Sequence, residues 1–343
     1  MTKSNFYFRH ELPLVDYITT IGNFDAGFIK TGLYGNGYYD LWNVDSAEII
    51  ASEEVKKLLQ SNRYSVVDDA SSDSVTFECV LKPSVGILNS SKPLVPGCEF
   101  KLSFDRAKAA FALINLVSDV EDSDNVLSLK NLHLRAKYFS SPFLRNYFSK
   151  IEDSEIKYNY DECSCYLKSL PTGETSIRLA NVIGGQTPTY IFCGVIKSKS
   201  LEGDFEFSST RFQRHGVKEF ELSLNGYSCS GFPIINQNGS ALPAYSKWLK
   251  STNRYFNNKC SEEIAPLDFK RFHFIYSHKF EGEPTDQGWI GIDMKLESAF
   301  NENYTLGELI TILQIIIFVL VIWTVNNVEL SIDKFFRVEK TLL

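Results

Sequence analysis

The run LITILQIIIFVLVIWTV, residues 309–325, is seventeen residues long and carries no charge, and its conformation decides what kind of protein this is. A membrane-spanning helix needs about 20 apolar residues, and this run falls just short. The opposite reading places it inside a β-sandwich, as one long strand or two. Composition favours strand: from Ile310 to Val325, eleven of sixteen residues are Ile, Val or Thr, whose branched side chains fit a pleated surface. Gln314 interrupts the run and offers a turn. Downstream, NNVELSID (326–333) alternates apolar and polar, whereas a membrane exit favours a Lys/Arg cluster. The run therefore reads as core strand, with a single-pass membrane anchor as the rival.

The same period of two recurs upstream. Leu102 and Phe104 alternate with Lys101 and Ser103. Leu127 and Leu129 do the same, as do Leu132, Leu134 and Ala136 after a one-residue slip of the kind a β-bulge produces. Ile177 and Leu179, Phe205 and Phe207, then Phe220, Leu222 and Leu224 continue the pattern, and Phe272, Phe274 and Tyr276 complete it. Pro171-Thr172-Gly173, Gly184-Gly185, Asn225-Gly226 and Asn238-Gly239 punctuate it as turns. One helix is predicted over 46–60, capped by Ser46, with Ile49, Ile50, Val55, Leu58 and Leu59 as its apolar face.

The chain's 343 residues leave room for two domains, and 44% hydrophobic content suffices to bury their cores. With 26 Phe and 17 Tyr the composition leans to strands and away from helical bundles. Periodicity is weakest between 139 and 156, which places a junction there. The expected fold class is all-β: two jelly-roll (antiparallel β-sandwich) units over 1–140 and 150–343, with one or two short helices.

Thirty-five basic against 42 acidic residues give a net charge of −7, and the basic residues occur singly, so no nucleic-acid surface is expected. Seven scattered cysteines (Cys79, Cys98, Cys163, Cys165, Cys193, Cys229, Cys260) read as mostly reduced thiols in an intracellular setting, since residues 1–20 lack a leader-like apolar run. The glycosylation triplets at Asn89, Asn238 and Asn303 carry little weight in that setting.

Catalytic constellations are thin. GYSCSG (226–231) has the wrong spacing for a nucleophile elbow and reads better as a hairpin. Cys163-Ser164-Cys165 lacks a second Cys or His pair at zinc spacing. Asp122-Ser123-Asp124 reads as a solvated turn rather than a cation loop. Of the five histidines, His10, His133, His215, His273 and His278, the last two lie on or beside a predicted strand and are expected to face solvent. The expectation is a non-enzyme with no catalytic, cofactor-binding or metal residues and no cofactor.

Several segments together resemble the double jelly-roll major capsid protein of Polinton/Maverick elements and adintovirus-like viruses. LVPGCEFKLSFDRAK (94–108) is similar to the stretch that closes that family's first jelly roll, and LSLKNLHLRAK (127–137) to its next strand. Gly185-Gln186-Thr187-Pro188 with the strand 190–196, and then 220–226 with its Asn-Gly turn, resemble consecutive parts of the second roll. Gly307-Glu308-Leu309 with 318–333 resembles the terminal strand pair, which assigns the apolar run to core strands. Each match is a pattern of apolar positions, and together they cover most of the chain from Asp16 onward. Residues 17–41 look like the middle of the family's first roll, so relative to the family the preceding strands are missing: either another chain supplies them, or this is an N-terminally shortened copy whose first roll is incomplete.

The resemblance implies a structural virion protein that self-assembles as a homotrimer into an icosahedral shell, with a penton-type minor capsid protein as a further partner. It implies location in the virion, intracellular during assembly, and no sequence-specific nucleic-acid contact. The aromatic loops 34–42 and 245–256 are then contact surfaces, or else plain packing within the domain. The rival is a β-rich domain anchored in a membrane by 309–325, and a carbohydrate-binding sandwich is a weaker third.

Overall fold

The computed structural model describes Tyr17, Ile21, Ser128 and residues 156–185, 187–202, 207–208, 210–255, 264–280, 288–300 and 318–332. In chain order these form β1 (Ile156–Ser169), β2 (Ser176–Gly185), β3 (Tyr190–Lys197), α1 (Ser198–Glu202), β4 (Val217–Leu224), β5 (Tyr227–Ser228) and β6 (Ile234–Ile235). Next come a 3₁₀ turn (Gln237–Gly239), α2 (Leu242–Ser251), α3 (Pro266–Phe272), β7 (Tyr276–Lys279), β8 (Gly288–Leu296) and β9 (Phe318–Ile332). The expected helix over 46–60, the first unit over 1–140 apart from Tyr17, Ile21 and Ser128, the aromatic loop 34–42 and residues 309–317 with Gln314 lie outside the described residues.

The second half of the apolar run belongs to β9, a strand of 15 residues. It pairs antiparallel with β1 from Val319↔Ser169 to Ile332↔Ile156, and with β3 from Phe318↔Lys197 to Val325↔Tyr190. Both backbone edges of Val319 to Val325 are therefore occupied, which fits the branched side chains concentrated there. Among the described residues no helix is long and apolar enough to cross a membrane.

Two antiparallel sheets result, ordered β1-β9-β3-β7 and β2-β8-β4-β5, with β6 also on β4. β1, β3, β7 and β9 lie in one sheet and β2, β4, β5, β6 and β8 in the other, so the chain changes sheet at every step except from β4 through β5 to β6. The described part is thus all-β, mostly antiparallel strand, with three short α-helices.

Alternation along the strands builds the core between the sheets. Ile290, Ile292, Met294 and Leu296 of β8 are buried, while Asp293 and Lys295 between them reach the outer face. There Arg178 pairs with Asp293 at 3.4 Å, and Lys295 with Glu219 at 2.7 Å. Across the sandwich Phe220 of β4 stacks on Tyr276 of β7, with centroids 3.9 Å apart and planes 7° from parallel. Asn236 donates from Nδ2 to the Tyr276 hydroxyl at 2.8 Å, tying the end of β6 to β7.

β3 is buried from Ile191 to Ile196, on both faces. Cys193 is registered with Tyr276, so that face looks toward the second sheet; Phe192 is registered with Ser277, whose hydroxyl meets Ser251 of α2 at 2.7 Å. The outer face of the four-stranded sheet is thus covered over β3 and β7, whereas Tyr166 and Leu167 of β1 are exposed; the outer face of the other sheet is charged.

Turns obey backbone chemistry. Asn225 (φ 52°) and Gly226 (φ 85°) join β4 to β5 by the two-residue hairpin expected of Asn-Gly. The Asn225 side chain also accepts the Trp289 N–H at 2.9 Å, pinning the turn to β8. In β2 the register against β8 shifts between Leu179 and Ile183, accommodated by Asn181 at φ 51°.

Three expectations need correction. Phe272, Phe274 and Tyr276 do not share one strand: Pro266 starts α3, which runs through Phe272, and β7 begins only at Tyr276. Residues 245–251 are helix rather than contact loop, because α2 begins at Leu242 with Pro243 in its first turn and buries Ala244, Tyr245, Trp248 and Ser251 along one stripe. His273 and His278 do not face solvent: both are buried, since the aromatic residues that alternate with them meet apolar layers on each side of the chain.

Candidate functional site

The sequence-level chemistry candidates do not converge. Gly226 to Gly231 spans the β4–β5 hairpin and the bend after it, and Cys163 and Cys165 lie on β1. Cys165, Cys193 and Cys229 are reduced; burial pushes Cys193 far up and Cys229 up to about 11, so these two stay protonated. Among the described residues no group of three or more His, Cys, Asp or Glu could hold a metal ion.

The structure instead assembles two surfaces. The first is a seat on the outer face of the four-stranded sheet. Gly194 of β3 has no side chain there, and a Cβ at that position would lie 2.5 Å from Cδ1 of Phe212, so the phenyl ring rests where the glycine leaves space. Phe212 is fixed by its backbone, which donates to the Phe272 carbonyl at 3.1 Å and accepts from the Phe274 N–H at 3.0 Å. These bonds bracket His273, which bridges to Phe212 in parallel.

Tyr17 fills the seat from 256 residues away, its hydroxyl 2.5 Å from His273 Nδ1. Its ring stacks on Phe212 at 5.6 Å and on His273 at 5.9 Å. Burial drives His273 down to about 3, so its imidazole is neutral, and Nδ1 shares a hydrogen bond with the phenol hydroxyl. Ile21 stands four residues on, also helical and fully buried in the same core. Helical spacing puts both side chains on one face.

Beside the seat, Tyr245, Trp248 and Phe269 pack ring to ring, with Tyr245–Phe269 edge-on at 5.2 Å. The Tyr245 hydroxyl donates to the Ile264 carbonyl at 2.8 Å, and the Arg254 guanidinium lies 5.7 Å from the Trp248 ring. On the inner side of β7, His278 is lowered to about 4 by burial and then by Lys247, with Phe280 edge-on at 4.7 Å. His215 falls to about 3 through burial, reinforced by Lys197 and Arg211. Its turn is held by Arg214, which donates to both carboxylate oxygens of Glu297 at 2.6 and 2.9 Å.

The second surface is the edge of the other sheet. Tyr227 in the two-residue β5 is 80% exposed and Phe232, between β5 and the two-residue β6, 81%, with Ile235 and Leu242 also exposed. Sequence reasoning missed both surfaces. Tyr17 carries no local sign that its partner lies beyond residue 200, whereas GFP at 231–233 does mark an aromatic held out by turn residues.

No protein-family model matches the chain, and no curated protein matches it at a significant level.

Proposed function

We propose that the chain is a structural protein whose C-terminal unit is a jelly roll, one of two in a subunit that assembles with its own copies into a viral-type shell. The observation that carries this reading is strand order. In a jelly roll of eight strands, two interleaved Greek keys place strands 1-8-3-6 in one sheet and 2-7-4-5 in the other. With β5 and β6 counted as two short pieces of one strand, β1-β9-β3-β7 and β2-β8-β4-β5/β6 have that order. The segments that resemble the capsid family also fall on these elements: 190–196 on β3, 220–226 on β4 and its turn, and 318–332 on β9.

Such a role requires no catalytic step. It requires a stable scaffold with side chains left over for contact between copies, and Tyr227 and Phe232 are of the types that dominate interfaces. The first unit over 1–140 is read as the other roll, and a trimer is the expected building block.

Expression without detergent and then light-scattering mass tests the proposal. A soluble species near three times 39.0 kDa, or larger closed particles, supports it. A soluble monomer at all concentrations refutes assembly. Recovery only in membranes, released by detergent and not by salt, refutes the shell reading and promotes the anchor.

A further inference from the structure

Independently of whether shells form, we propose that the outer face of the four-stranded sheet carries a specific peptide-binding seat: it takes one amphipathic helical turn with a tyrosine at the first position and an aliphatic residue four later, and the chain's own Tyr17 and Ile21 are its ligand. The seat is built before its occupant arrives. Gly194 supplies the space, Phe212 is locked by two backbone bonds, and His273 is positioned by the same bonds with a nitrogen aimed at the phenol. None of these groups depends on residues near Tyr17 in the chain, since the nearest, Gly194, is 177 positions away (194 − 17).

Recognition has an apolar and a polar component. The Tyr17 ring stacks on Phe212, which any aromatic would satisfy. The hydroxyl pairs with His273 Nδ1 inside a core where His273 is only 2% exposed, so a ligand without that hydroxyl strands a buried ring nitrogen. The seat should therefore read tyrosine against phenylalanine, as a helix-in-groove site reads its anchor residues. The four-residue spacing to Ile21, fully buried as well, sets the helical register.

The test uses the full chain with Tyr17→Ala and Ile21→Ala, which empties the seat, and a fluorescent synthetic peptide of residues 12–26 added in trans. Saturable binding to the double variant and not to the parent is expected. The same peptide with Tyr17→Phe should bind roughly tenfold to a hundredfold more weakly, the loss that an unpaired buried polar group brings. Equal binding of the two peptides, equal binding to the parent chain, or no binding to a folded double variant overturns the proposal. Should the double variant not fold, the full chain with Tyr17→Phe alone keeps the ring and loses the hydroxyl. Hydrogen exchange in its residues 12–26 should then rise about tenfold or more over the parent, and an unchanged rate overturns the proposal equally.

Discussion

Acid should destabilise this protein well above the pH at which its carboxylates protonate, and His273 should account for a definable share. In the folded chain burial lowers His273 to about 3 and His278 to about 4. In the unfolded chain both return to about 6.5. Below that value the unfolded state binds protons that the folded state refuses, so stability is complete above pH 6.5 and falls as pH falls, until the folded pKa is reached. Between pH 7.5 and pH 5 each histidine then costs about 2 kcal/mol, and the pair about 4 kcal/mol, as an upper bound. His273→Asn retains an amide able to pair with the Tyr17 hydroxyl but takes up no proton. Urea unfolding monitored by tryptophan fluorescence, at half-unit steps from pH 7.5 to 5, gives the slope for parent and variant. The variant should start lower at pH 7.5, through its imperfect fit, and lose about 2 kcal/mol less on acidification. Parallel pH profiles for parent and variant would refute the assignment of His273 as a buried neutral imidazole.

Other perturbations test the remaining contacts. Gly194→Ala places a methyl 2.5 Å from the buried Phe212 ring and should cost about 1–3 kcal/mol by thermal or urea unfolding; a neutral result would mean that Phe212 does not rest on β3. Asn225→Ala removes both the tolerance for φ 52° and the acceptor of the Trp289 N–H, for a loss of about 1–2 kcal/mol by the same measurement. Tyr227→Ser with Phe232→Ser should leave unfolding within about 0.5 kcal/mol of the parent while weakening self-association at least tenfold by light scattering; unchanged association would remove this edge from the contact surface. Hydrogen exchange in detergent-free buffer should find the slowest amides among 319–325, where β9 is paired on both sides, and fast exchange there would contradict the central strand.

What the sequence revealed of this fold depended on whether the governing interaction was local. The β9 strand was legible because branched residues and a period of two are properties of consecutive side chains, and so was the Asn225-Gly226 hairpin, whose φ values only a few residue types accept. The stretch around Phe272 was misread because FHFIY alternates like a strand while Pro266 had already committed the preceding turn to helix. His273 and His278 were misplaced for a related reason. Alternation predicts one wet face, yet this part of the chain is enclosed on both sides, by the second sheet and by the layer of α2, α3 and Phe212. Burial on the second side comes from elements distant in sequence, Tyr17 most of all, and no local pattern encodes it.

That enclosure makes the sandwich lopsided, and the asymmetry bears on how copies would meet. One outer face is already covered over β3 and β7, by two helices and by Tyr17 in its seat. The other carries the Arg178–Asp293 and Lys295–Glu219 pairs, and burying it against a neighbour would desolvate charges that gain little from their present exposed pairing. The charged face and the covered part of the other face are therefore poor contacts, which leaves the exposed Tyr166 and Leu167 of β1 and the rim. At the rim β5 and β6 are too short to offer a long free backbone edge, and Tyr227 and Phe232 stand out into solvent. On the proposed shell reading, contacts made there would join sandwiches side by side rather than face to face, the arrangement that tiling a shell one subunit thick requires.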